Sequence, residues 1–179
     1  MIRSILTEPN PTLRKRSAEV ETSELGSSAV KEVISDLIET LAVSEDGIGI
    51  AAPQIAISLR IFIISEEAKY IDAPADKRPK KEKKEWKNLI YINPVVSGFS
   101  KRKVEGAEGC LSVPKKFGIV PRHEKLRVSA YDENGVKFSR GASKFLARVI
   151  QHELDHLDGV LFIDRALRFI EPKNLNEKL

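Results

Sequence analysis

The chain is short of several things. It has one cysteine in 179 residues, so no internal disulfide can form, and a lone thiol fits a reducing compartment. No run of about 18 apolar residues occurs, which excludes a membrane-spanning helix. The start, MIRSILTEPNPTLRKRS, reaches its prolines before a signal-peptide core could build, so no leader is expected. Neither sign of charge dominates: 30 basic against 26 acidic side chains leaves +4. So small an excess permits an acidic partner such as RNA but demands none. With 41% hydrophobic and 31% charged residues, the chain can both build a core and stay in solution. Nothing repeats, and no domain-sized shift of composition divides it. One cytoplasmic domain over 1–179 is expected.

Local patterns supply the elements. Val30, Val33, Ile34, Leu37, Ile38 and Leu41 recur at helical spacing over 28–43, and Ser27 or Ser28 can cap the start. LRIFIIS (59–65) and LIYINPVV (89–96) read as strands, with Pro94 expected near a strand end or on a sheet edge. Between them, residues 66–88 carry dense charge and two prolines, and read as an exposed, partly mobile hairpin insertion. Its KRPKKEKK run is a basic patch for RNA or, since glutamates dilute it and one aromatic interleaves, a solvated loop. LRVSAYD (126–132) alternates as a strand, and Asn134-Gly135 supplies positive φ angles for a tight turn into VKFSR. A helix follows from about Ala142 to Leu157 and stops at Asp158-Gly159. Strands, hairpins and two helices without regular βαβ alternation predict an α+β fold, with antiparallel sheets packed around a central helix.

Chemistry concentrates in that helix. Histidine is scarce, three in all, yet HELDH (152–156) puts two on one turn. His152 and His156 therefore share a face and can bind one cation, with Glu153 beside them to handle a water proton. A catalytic site of this kind uses three protein ligands and an open position. His123, before Glu124, reads as an exposed loop histidine. Cys110, in EGCLS, is the better third ligand beside the histidine pair, although by itself a lone cysteine reads more readily as a small buried hydrophobe. Phe145 and Val149 precede His152 on one stripe, which is ordinary core spacing or the wall of an apolar pocket leading to the ion. GIGIAAPQ (47–54) offers little side chain. Gly47 and Gly49 let another backbone approach and pair in β fashion, and Pro53 fixes a turn that presents Gln54. No Lys-Ser/Thr follows, so this is not a phosphate loop.

GIGIAAPQ, EGCLS and HELDH, in that order, resemble the signatures of the peptide deformylase family. The resemblance runs over roughly residues 3–165, taking in NPTLRKRS, INP at 92–94, VPR at 120–122 and HLDGVLFIDR at 156–165. It implies removal of the formyl group from N-formylmethionyl nascent chains. It further implies Cys110, His152 and His156 as metal ligands, Glu153 as general acid/base, and Gln54 with the Leu111 N–H as oxyanion hole. Ile48, Phe145 and Val149 would form the methionine pocket. The family's metal is usually Fe²⁺, with Zn²⁺, Ni²⁺ or Co²⁺ accepted. The chain departs from the pattern at Ile50, where leucine is usual, in a longer 66–88 connection, and in lacking a long carboxy-terminal helix. Ribosome contact is therefore left open, as is a monomer or weak dimer. Asp155 and Arg122 are the expected supports of the ligand histidines. The rival readings are an HExxH zinc peptidase with Glu171 as downstream ligand, and a non-catalytic RNA-binding module built on the basic insertion.

Overall fold

We describe residues 1–171 of a computed structural model. Helix α1 spans Ser28–Val43, and Ser27 Oγ accepts the Val30 N–H at 3.2 Å as its cap. Strands β1 (Gly49–Ala51), β2 (Ile61–Ser65), β3 (Asn88–Phe99), β6 (Lys125–Tyr131) and β7 (Lys137–Ser143) form one antiparallel sheet, in that spatial order. Strands β4 (Lys103–Cys110), β5 (Val113–His123) and β8 (Arg168–Ile170) form a second. Helix α2 covers Lys144–Leu157 and ends at Gly159, whose φ of 74° suits a residue without a side chain.

All five residues of β2 are buried, and strand alternation divides them between the two helices. Ile61 and Ile63 pack with Val30, Ile34, Leu37 and Leu41 of α1. Phe62 and Ile64 pack with Ala147, Val149 and Ile150 of α2. The five-stranded sheet therefore carries one helix on each face. Helix α2 is also gripped from its far side: Gln151 accepts the His123 N–H at 3.0 Å, and Arg122 donates to Asp155 at 2.6 Å. A helix held between two sheets must bury polar groups, and it can do so only because β5 supplies their partners. The expected α+β fold with antiparallel sheets around a central helix is observed.

Four local expectations need correcting. Pro94 lies neither near a strand end nor on an edge strand: β3 continues to Phe99 between β2 and β6. Its missing N–H is accommodated at a bulge, where Asn93 takes φ 48° and its amide clasps both backbone groups of Val20. In the β6–β7 turn only Gly135 has positive φ, since the Asp132 carboxylate accepts from Asn134 and Val136, both at 2.9 Å, and shapes a longer turn. His123 is no exposed loop residue. It ends β5 half-buried, its ring 4.6 Å from Phe99 and Nδ1 2.6 Å from the Ser100 carbonyl. The 66–88 insertion does connect antiparallel neighbours, Ser65 opposite Asn88, but it contains short 3₁₀ turns and a buried Trp86 rather than strands.

Candidate active site

Strand β4 ends at Cys110, and a tight turn brings the chain back at Val113. Helix α2 presents His152 and His156 one turn apart, their rings 5.0 Å between centroids. Cys110 Sγ lies 3.2 Å from His156 Nε2, and the three potential ligand atoms all fall within 4.8 Å of one another. A thiol and two imidazoles that close fit a single cation of zinc or iron type. Among the described residues no other such cluster of histidine, cysteine and acid occurs. His123 and Glu171 take no part; Glu171 is exposed beyond β8.

The support behind the ligands was only half anticipated. His152 Nδ1 meets Glu108 Oε2 at 3.0 Å. An ionised carboxylate can only accept, so Nδ1 carries a proton, and Nε2 is the nitrogen that would face a cation once its own proton is lost. Glu108 also takes a two-pronged contact from Arg122, 2.9 Å at each oxygen, and a contact from a second guanidinium, Arg148, at 2.9 Å. Arg122 then reaches Asp155, which receives Arg165 as well. Arg122 and Asp155 thus belong to the support, as expected, but act on His152 only through Glu108. Glu108 is the residue that sequence reading missed. Its position two residues before Cys110 is a weak signal, because the β4–β5 register shifts between the two and the segment does not alternate cleanly.

Charge follows geometry. Burial alone would raise the Glu108 carboxyl, yet Arg122 and His152 hold it well below the ordinary range. Burial likewise opposes ionisation of Cys110, and the neighbouring imidazoles overcome it, so the thiol is pulled well below its usual value. His152 is raised well above the ordinary imidazole: burial works against this, but Cys110 and Glu108 outweigh it. Glu153 goes the opposite way from Glu108. Burial pushes it up to about 7 against the pull of both imidazoles, and its Oε2 is buried without a partner. Gly49 makes room for it: a Cβ there would stand 2.6 Å from Glu153 Oε1.

The remaining predicted residues gather around this centre. Gln54 sits in the 3₁₀ turn Ala52–Ile55, its Oε1 held by the Ala51 N–H at 2.8 Å. That clamp aims Nε2 at Ser112 Oγ, 3.0 Å away, and at Cys110 Sγ, 3.7 Å away. Ile48, Gly49, Gln54, Leu111, Phe145 and Val149 all line one cleft of about 390 Å³ that also reaches Cys110, His152 and Glu153.

The sequence model of the polypeptide deformylase family matches residues 2–171. The chain belongs to that family. Peptide deformylase 2 of Nostoc sp. is 44% identical over 159 residues, 88% of this chain and 82% of that protein. Peptide deformylase 1A, chloroplastic/mitochondrial, of Arabidopsis thaliana is 35% identical across 91% of this chain and 61% of its own. A crystal structure of the class I type b peptide deformylase of Acinetobacter baumannii with Met-Ala-Ser bound has a TM-score of 0.79 at 32% identity, covering 92% of this chain and 99% of that one. The enzyme is accordingly a deformylase, a hydrolase that removes the N-formyl group from nascent polypeptides, and its family is metal-dependent. No helix among the described residues is long and apolar enough to cross a membrane.

Proposed function

We propose that Cys110, His152 and His156 hold one divalent cation, Fe²⁺ in the native enzyme with Zn²⁺, Ni²⁺ or Co²⁺ able to replace it, and that residues 1–179 act as one catalytic domain. The observation that carries this is the three-atom cluster within 4.8 Å, with the unpartnered Glu153 oxygen beside it. When bound, the cation supplies Lewis-acid polarisation and makes a water acidic enough to lose a proton near neutrality.

The chain's own groups do the rest. Glu153, with a carboxyl near 7, takes the water proton during attack on the formyl carbon and later gives a proton to the departing amine. Gln54 Nε2 and the Leu111 N–H donate to the formyl oxygen as it gains charge, and the Ala51 clamp pre-aims the amide. Phe145, Val149 and Ile48 surround the methionine side chain. Strand β1 is an edge strand: the Ile48 carbonyl is bonded to the Ser65 N–H, so alternation turns the Gly49 N–H and C=O outward, where a substrate backbone can add as a further strand. A peptide like the Met-Ala-Ser of the Acinetobacter crystal suits such a groove. The enzyme works in the cytoplasm on emerging N-formylmethionyl chains, with ribosome contact, as a monomer or weak dimer.

The test is formate release from a formyl-Met peptide under anaerobic conditions, with the acetylated analogue alongside. Formate from the first and no acetate from the second is expected; no formate, or cleavage of internal peptide bonds instead, sinks the reading. Glu171→Gln should leave metal content unchanged, against the zinc-peptidase alternative.

A further inference from the structure

The 66–88 insertion reads from sequence as a solvated loop, yet one of its side chains ends on helix α2, which lines the cleft, and another on the C-cap of α1, which leads into it. Helix α2 receives no cap from its own strand: Ser143 makes no side-chain bond to the first turn, and Lys144 enters the helix at φ 54°. The Phe145 N–H is donated to Asp72 Oδ2 at 2.5 Å. On the opposite rim the Lys83 ammonium donates to the carbonyl of Ser44, the C-cap of α1. Ser44 leads straight into Glu45–Gly49, which line the same cleft as Phe145. An acid therefore meets a helix N-terminus and a base a helix C-terminus, the two pairings that aligned peptide dipoles favour. The segment between them is braced, with Tyr70 packed on the buried Trp86 at 5.4 Å and the Lys81 ammonium 5.4 Å from the same ring.

We propose that Asp72 is a positioning residue that sets Phe145, and through it the side-chain selectivity of the pocket, with the insertion acting as a strap between the cleft's two rims. This rests on the assignment of Phe145 to the methionine pocket made above. The helix frays from its free end, so losing the cap moves Phe145 before Val149, one turn deeper, or His152, two turns deeper. The effect falls on recognition of the first side chain and spares the cation and Glu153.

The experiment compares the metal-loaded enzyme on formyl-Met-Ala-Ser and formyl-Ala-Ala-Ser. For Asp72→Ala, KM for the methionyl peptide should rise roughly threefold to tenfold while kcat stays within about twofold, and the preference for methionine should narrow. Metal content should match the parent. Asp72→Asn keeps an acceptor oxygen and should recover most of the preference. A variant that only melts earlier, with parental KM and preference, makes Asp72 a structural cap and overturns the proposal; so does Asp72→Asn behaving like alanine. Asp72 is exposed, so little burial is lost in these variants. Phe145→Ala separates the two assignments. Unchanged preference there removes Phe145 from the pocket, whereas lost preference with an inert Asp72→Ala leaves the pocket standing and removes only the strap.

Discussion

Glu108 and Glu153 stand on opposite walls of the same site, both buried and both near its imidazoles, yet their carboxyls are shifted in opposite directions. Glu108, on the β4 wall, faces Arg122, Arg148 and His152, and its carboxyl is held well below the ordinary range. Glu153, on the α2 wall against Gly49, has one oxygen with no partner and is pushed up to about 7. Burial raises both; the hydrogen bonds from Arg122 and His152 reverse it at Glu108, and Glu153 has no such bond. In the proposed mechanism the first would orient a metal-binding imidazole and the second would exchange protons near neutrality, and the environments suit those two tasks. The second arrangement costs stability, as a buried carboxyl without a partner must.

That contrast can be broken in graded steps. Glu153→Ala removes the proton carrier but no metal support, so kcat should fall by about 10³-fold with metal content near parental, read by formate release and metal analysis of the same sample. If turnover survives, the proton role belongs elsewhere. Gln54→Leu touches neither carboxylate and should lower kcat by about 10²–10³-fold, again with metal retained. Loss of metal there would mean that the Gln54 contact to Cys110 Sγ matters more than oxyanion stabilisation. Glu108→Gln should do the reverse of Glu153→Ala, weakening metal affinity about 10–100-fold, which competition with a chelator would measure. Parental affinity would demote Glu108 to a purely structural partner of Arg122.

The smallest effect is one of pH. The folded value of Glu153 lies above its ordinary 4.5, so the unfolded chain gives up this proton first as pH rises. Stability of the metal-free protein due to this group is therefore full below about 4.5, declines between there and about 7, and levels off above. Thermal melts of metal-free parent and Glu153→Gln across that window should converge at low pH and separate at high pH, the variant being the more stable. Curves that stay parallel would show that Glu153 is ionised throughout.

Much of the fold was legible because it is local. The α1 stripe and its Ser27 cap, the β2 run and the Gly159 stop each depend on neighbours within a few residues, and they stand where the sequence predicts. Residues 103–123 did not announce β4 and β5, since their glycines and prolines interrupt the alternation and their partners are each other. The site divides the same way. His152, Glu153 and His156 are legible from helical periodicity, and Cys110 only from the ligand count that such a pair leaves short. Glu108 went unseen because its meaning comes from a strand-to-helix contact 44 residues long. Gly49 looked like space for substrate, but it is also space for Glu153.

By itself the sequence determined which side chains could do chemistry here: a thiol, two imidazoles one turn apart, an adjacent acid and a clamped amide. It also determined the family, because those groups recur in fixed order along one chain. Only the tertiary structure decided how each is tuned. Whether a buried carboxylate is ionised, and whether a charged insertion braces a cleft or drifts in solvent, depends on atoms within about 4 Å that lie far apart in sequence, since electrostatic and hydrogen-bond energies fall off with distance in space, not along the chain.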